Sequence, residues 1–364
     1  MSAFAMEEVS FVMKQQVKVL TFCIGTSIGS ILQAYGMTRI LSECGYEGEL
    51  WLEIPKEYQK PVGQNRLKVM ARDAMEALNK SRLEAGRQKR EHFIRAHMAA
   101  RYLAEEEDYR RAAQECPDAV FLAGSDQVWD PDRLNPVFFL SFVEHGKRVS
   151  YAASMGRTSI RPEAEKPIEG WLRAFDHISV RERSCAEAIR PLTDQKIEMH
   201  VDPTFLMDAD AWRSLEKPYR VKGPYILLYM LYWDPALKSR IADLKKRTGL
   251  PVYAVCVRAS RIYADKHLYD VGVEEFLWLV DHAAYVVTSS FHGAAFSVIF
   301  QKQFAAVINP SLPSRIENLL EVLSLPHVGI DQLGAGSEID YTAVPEILQK
   351  ERQRSIIYLK EAIG

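Results

Sequence analysis

The chain has 364 residues, 48% of them hydrophobic and 26% charged, with a formal net charge of -2. That length exceeds what one hydrophobic core usually serves, so two domains are expected. The balanced charge argues against a general nucleic-acid binder, which carries an excess of basic residues. The five cysteines, Cys23, Cys44, Cys116, Cys185 and Cys256, are scattered and form no CxxC pair, so neither a zinc knuckle nor a disulfide scaffold is indicated. The opening "MSAFAMEEVSFVMKQQ" lacks a basic region followed by an apolar core and a cleavage site. No uncharged apolar run is long enough to span a bilayer. The cytoplasm is therefore the expected compartment.

"VKVLTF" (Val17 to Phe22) predicts a first strand, followed by the Gly- and Ser-rich loop "CIGTSIGS". "SILQAYGMTRILSECG" predicts a helix, with Ile31, Leu32, Tyr35 and Ile40 near helical spacing and Gly45 as its stop. "YEGELWLEI" predicts another strand. Asn65 to Arg101 is rich in strong helix formers and charges, and predicts one or two surface helices. "DAVFLAGSDQVWDP" reads as a buried strand that breaks at Gly124, and "RVSYAAS" as another strand. "EGWLRAFDHISVRERSCAEAIRPL" gives helix, short strand and helix. "IEMHVDPTFLMDADAW" closes this half, with Asp202 and Pro203 at a turn.

A second series opens at the apolar strand "GPYILLYMLY". "DPALKSRIADLKKRTG" is an amphipathic helix ending at Gly249. "LPVYAVCV", "AYVVT" and "QFAAVI" predict strands, separated by the helices "GVEEFLWLVDHA" and "HGAAFSVIF". Such alternation with short connections predicts parallel sheets covered by helices, an α/β fold. The expected limits are 15–210 for the first α/β domain and 220–335 for the second. A terminal helix over 340–364 either packs back on the first domain or stays on its own domain.

In open parallel α/β domains, ligands bind beyond the carboxyl ends of strands. Four polar segments fall there: "GTSIGS", "GSDQVW", "SVRERS" and "TSSFHG". In the first, Gly25, Ser27, Gly29 and Ser30 form a turn at a helix start that suits an anion, since free backbone N–H groups point out of it. Gly25 and Gly29 lack the G-x-G-x-x-G spacing, so NAD is not indicated, and no P-loop lysine follows. A plain flexible turn is the competing reading.

In the second segment, Gly124, Ser125 and Gln127 flank Asp126. The aspartate suits a sugar hydroxyl or proton removal, or else caps its own turn. Trp129 stacks on a sugar or fills the core. Arg181 offers a planar fork to phosphate or carboxylate, or else a surface ion pair with Glu182, Glu187 or Asp176. Ser290, His292 and Gly293 occupy a strand–turn–helix junction. His292 is a candidate acid, base or anion ligand, against the commoner structural role of a lone histidine. "SSFHG" is not a G-x-S-x-G nucleophile elbow.

Together these segments resemble the polysaccharide pyruvyl transferase family. "GSILQAYGMTRIL", "AGSDQVWDP", "SYAASMG", "ISVRERS", "VDPTFLM" and "VTSSFHGAAFSVIFQKQF" resemble its landmarks in the same order, from about Val17 to Leu320. Relatives often carry an asparagine-tyrosine pair before the first glycine segment, where this chain has Ser27 and Ile28. Many also have an aspartate at the place of Ser289. The resemblance implies two Rossmann-like domains in a GT-B-like arrangement with a cleft between them. It implies transfer of a pyruvyl group from phosphoenolpyruvate to hydroxyls of a glycan or lipid-linked glycan precursor. It also implies that Arg181 and His292 lie near the donor; Asp126 is, from its own chemistry, the candidate ligand or base for the acceptor hydroxyl.

No metal or cofactor beyond the donor is expected. Peripheral membrane association would suit a lipid-linked acceptor, although the long helical segment lacks a clear membrane-binding face. Two alternatives share the architecture: a nucleotide-sugar-dependent GT-B glycosyltransferase, and a non-catalytic glycan-binding or assembly protein.

Overall fold

The structure is a computed structural model describing residues 14–54, 75–258, 262–309, 314–336 and 338–364. Its frame is two five-stranded sheets. The first contains β1 (Gln16–Leu20), β2 (Glu47–Glu53), β3 (Ala100–Leu103), β4 (Val120–Ala123) and β5 (Lys147–Ser150), in the order β3-β2-β1-β4-β5. Every neighbouring pair is parallel. β4 buries all four of its residues and β1 all but Gln16, as a strand covered on both faces should. β6 (Ile178–Val180) and β7 (Ile197–Met199) pair with each other. The bridges Val149 to His177 and Ala153 to Val180 hang them beside β5.

The second sheet contains β8 (Ile226–Tyr229), β9 (Val252–Val255), β10 (Lys266–Leu268), β11 (Tyr285–Thr288) and β12 (Gln303–Ala306). Its order, β10-β9-β8-β11-β12, repeats the first with all pairs parallel. In each sheet the connections change direction between the first and fourth strands, which opens a crevice at their carboxyl ends. "GTSIGS" and "GSDQVW" leave the first crevice, and "TSSFHG" leaves the second. One apolar cluster runs through both halves, and a second fills the other face of the first sheet.

The terminal helix, Val344–Ile363, lies against the first half. Tyr358 donates to the Ser150 carbonyl at 2.8 Å, and Arg352 to the Phe205 and Met207 carbonyls at 2.5 and 3.0 Å. Three local differences from the sequence reading have physical causes. The helix after β1 spans Ile28–Glu43, so Gly29 and Ser30 sit in its first turn; Ser27 caps it by accepting from the Ser30 amide. Within Asn65 to Arg101 the described helix is Lys80–His97, and Arg101 belongs to β3 because pairing to β2 overrides local propensity. Residues 65–74 of that segment lie outside the described set. β10 is three residues long, too short to show a period in sequence.

The helix Ile28–Glu43 seats on the turn after β7 at Gly36. A Cβ there would meet the Pro203 carbonyl oxygen at 2.7 Å. Gly36→Ala gains helix propensity of about 1 kcal/mol but must move backbone. We expect a net loss of about 1–2 kcal/mol, read as a lower urea midpoint with an unchanged slope.

Candidate active site

β6 ends at Val180, and the next residue is Arg181, 5% exposed. Its Nη1 donates to Asp202 Oδ2 at 2.6 Å. Glu182 Oε2 lies 3.6 Å from Nε and Asp126 Oδ1 lies 3.8 Å from Nη2. The guanidinium carbon sits 4.2 Å from the centroid of the Phe291 ring, a cation–π contact. Burial alone would lower the guanidinium pKa; Asp202, Glu182 and Asp126 outweigh it and raise the value above the ordinary one.

Asp202 caps the Pro203–Phe205 turn, with Oδ1 accepting from the Thr204 amide at 3.0 Å and its hydroxyl at 2.9 Å. The Ser125 hydroxyl lies 2.8 Å from the Ala152 carbonyl and 3.2 Å from Asp202 Oδ2. Across the junction between the halves, His292 Nε2 lies 3.7 Å from the same oxygen, beyond hydrogen-bond reach. Burial pushes the Asp202 carboxyl up, but the His292 imidazole and the Arg181 guanidinium hold it well below the usual carboxylate range.

Glu182 is fixed differently. Its Oε1 accepts from the Ser154 hydroxyl at 2.7 Å and the Met155 and Gly156 amides at 3.2 and 3.3 Å. Asp126, with a φ of +69°, faces the cleft and touches Arg181 only loosely.

The histidine junction answers to close packing. Ser290 caps the helix Phe291–Ile299 by accepting from the Gly293 amide, so its hydroxyl is committed locally. Ser289 accepts from the Leu231 and Tyr232 amides at 2.9 and 2.8 Å and ties down the loop after β8. Gly293 carries no side chain because a Cβ would meet Thr288 Oγ1 at 2.2 Å. On the other half, a Cβ at Gly29 would meet His292 Nδ1 at 2.3 Å. The first turn of one half's helix therefore lies directly on the other half's histidine.

The remaining predicted residues divide. Gly25 presents its carbonyl to Arg90, and Ser27 and Ser30 are engaged in their own helix start. Gly124 has a φ of +111°, and a Cβ there would strike the Tyr151 carbonyl oxygen. Gln127 lies across Gly156 and lines the cleft. Trp129 is core: it stacks on Phe139 with centroids 5.4 Å apart, and its Nε1 donates to the Phe138 carbonyl.

Sequence reasoning missed two members. Asp202 was legible only as a turn residue. Arg315, from the helix Ser314–Val322, comes from far along the chain; burial and the Arg181 cation pull its pKa below the ordinary value. Arg181 Nε and Nη2, His292 Nε2, Arg315 Nε and Glu182 Oε2 are all buried without a hydrogen-bond partner. Buried polar atoms are normally paired, so this concentration marks a place for a polar ligand. Beside it opens a cleft of about 540 Å³, with Phe22, Ser30, Asp126 and Gln127 on one wall and Tyr229 and Cys256 on the other. Burial pushes the Tyr229 hydroxyl up to about 12.

Comparison with solved structures defines the class. The Methanocaldococcus jannaschii UDP-GlcNAc 2-epimerase matches 96% of this chain and 100% of its own, at 9% identity and a TM-score of 0.51. Medicago truncatula UGT71G1 complexed with UDP-glucose matches 96% of this chain and 99% of its own, at 8% identity and a TM-score of 0.51. The architecture is thus of the GT-B type, two α/β halves with parallel sheets. No curated protein matches the chain in sequence. The polysaccharide pyruvyl transferase family model matches residues 28–311, and the chain belongs to that family. Arg315 lies just beyond the matched residues.

The depressed Asp202 carboxyl gives a test of the site's electrostatics. Its unfolded pKa is about 3.9 and its folded value lies lower. Its contribution to stability is therefore full above the unfolded value and lost as pH falls through the folded one. Asp202→Asn should lower stability at pH 7 by about 3–5 kcal/mol, because Arg181 loses its closest partner. It should also flatten the acid limb of a stability-against-pH curve measured by urea unfolding. A wild-type limb as steep as the variant's would contradict the assignment.

Proposed function

We propose that the protein transfers the three-carbon unit of phosphoenolpyruvate to two hydroxyls of a sugar acceptor, forming a pyruvate ketal and releasing phosphate. The acceptor is a glycan or a lipid-linked glycan precursor. One observation carries the reading: buried N–H groups of Arg181 and Arg315 that make no hydrogen bond lie with His292 beside a sugar-sized cleft, which Asp126 lines. Guanidinium forks match the paired oxygens of carboxylate and phosphate. Family membership supplies the reaction class.

In this reading Arg181 and Arg315 hold the donor's anionic groups. His292 delivers a proton to the methylene carbon, which becomes a methyl group and leaves positive character on the adjacent carbon. One acceptor hydroxyl bonds to that carbon and loses its proton to Asp126. The carbon–oxygen bond to phosphate then breaks, and phosphate leaves with the electron pair. The second hydroxyl bonds to the same carbon and gives up its proton, closing the ketal. Asp126 passes the first hydroxyl's proton to the departing phosphate, and the second hydroxyl's proton restores His292, so both groups return to their starting states. Asp202 and Phe291 hold the Arg181 plane while charge shifts around it.

The assay is phosphate release from phosphoenolpyruvate in the presence of candidate glycans, with mass spectrometry of the acceptor. Turnover of a nucleotide sugar with none of phosphoenolpyruvate would replace this reading by the glycosyltransferase one. Glycan binding without turnover of either donor would leave a binding protein.

His292→Asn keeps a hydrogen-bonding side chain but cannot act as the same acid. Turnover at saturating donor and acceptor should fall about 10²–10⁴-fold, with most of the thermal stability retained. Near-normal turnover in folded protein would remove His292 from the chemistry. For Arg181, alanine would strand three carboxylates and confound binding with folding. Arg181→Lys keeps the charge but loses the fork. Calorimetry should show donor affinity about 10-fold or more weaker; unchanged affinity would leave Arg181 a purely structural ion.

A further inference from the structure

The helix Lys80–His97 belongs to the first half but lays one face on the second. Gly86 permits the approach: a Cβ there would meet the Tyr269 carbonyl oxygen at 2.5 Å and Asp270 Cα at 3.1 Å. Lys89 donates to the Asp270 carbonyl at 2.9 Å and to the Glu275 carboxylate at 2.5 Å. Next to it, Arg90 is 1% exposed. Its Nε donates to the Gly25 carbonyl at 2.5 Å and its Nη1 to the Val271 carbonyl at 2.6 Å. Both acceptors are neutral, so the fork ties two backbone segments together without forming an ion pair through these bonds. A buried cation held by carbonyls is an expensive fastener where apolar packing would serve. What an arginine adds is direction: two fixed donors aimed at two separate pieces of chain.

Those two pieces matter to the site. Val271 directly precedes Gly272, the cap of the helix Val273–Asp281 in the second half. Gly25 opens the short loop that ends at Gly29, and Gly29 is the residue on which His292 rests. The tie and the histidine contact are thus the two ends of one five-residue stretch that bridges the halves.

We propose that Arg90 is a positioning residue that transmits the seating of the two halves into the site by anchoring the Gly25–Gly29 loop to the Val271 turn, so that the first turn of the helix Ile28–Glu43 meets His292. The activity arm of its test rests on the proposed function; the exchange arm does not.

Hydrogen exchange on the full chain compares wild type, Arg90→Lys and Gly86→Ala. Lysine keeps the charge but cannot reach both carbonyls. The expected result is exchange at least about tenfold faster over both 25–29 and 291–295, with β1 and β8 as protected as before. Faster exchange on one side only, no change, or an even rise through β1 and β8 would overturn the proposal. Should Arg90→Lys fail to fold, Gly86→Ala keeps the arginine but presses its Cβ on the Tyr269 carbonyl oxygen and on Arg90 Nη1, at 2.5 and 2.9 Å, and is read by the same criteria.

In the kinetic arm, Arg90→Lys should lower kcat for phosphate release about 10- to 100-fold with little change in KM for phosphoenolpyruvate. In the His292→Asn background it should cost almost nothing further, because it acts through the histidine contact. A full additive loss in the double variant would reduce Arg90 to a stability residue. A wild-type protein that releases no phosphate would sink the proposed function, while the exchange data would still decide the role of Arg90.

Discussion

The Arg181–Asp202 pair is the fixed point around which the site is built. One oxygen of Asp202 takes Arg181 Nη1 at 2.6 Å and the other caps the turn that begins at Pro203. That turn carries the carbonyl on which Gly36 rests, so the same carboxylate sets the seat of the helix Ile28–Glu43. The pair is fully buried, where Coulomb attraction is strong but desolvation opposes it. Its survival depends on the surrounding bonds from Thr204 and Ser125 and on the Phe291 face beneath the guanidinium. The cluster is therefore poor in stability for its size and rich in orientation.

Close backbone approach is the second constraint. Gly29, Gly36, Gly86 and Gly293 all stand where a single added carbon would press on a neighbouring residue. Three of the four bring a helix of the first half close to another segment, and Gly293 lets the histidine helix fold tightly over its own strand. Such spacing leaves little slack between the halves. A site shared between them can then be assembled to a few tenths of an ångström, which polar catalysis requires.

The GT-B likeness places the crevices but leaves the chemistry open. The matched epimerase and UGT71G1 share the overall fold along nearly the whole chain and little of the sequence. Fold sets where a ligand lies; the residues on the strand ends set what is done to it. Here the side chains that meet between the halves are two arginines, three carboxylates and a histidine.

Sequence alone determined the alternating strands and helices, because apolar runs and glycine stops are local signals that each sheet needs. It also singled out Arg181 and His292, since both sit at strand ends, where backbone direction brings polar residues together. Tertiary structure alone decided which partners they meet. Asp202 reads as an ordinary turn residue until β7 is paired beside β6, and Arg315 lies 134 positions from Arg181 by the numbering. β3 and β10 took their form from the strands beside them, not from their own three or four residues. The glycine before Ser30 reads either as part of a helix start whose free N–H groups suit an anion or as a flexible turn; the fold shows that it is small because a histidine from the other half occupies the space a side chain would need. Steric exclusion between distant segments leaves no trace in local pattern, and it is that exclusion which joins the two halves into one site.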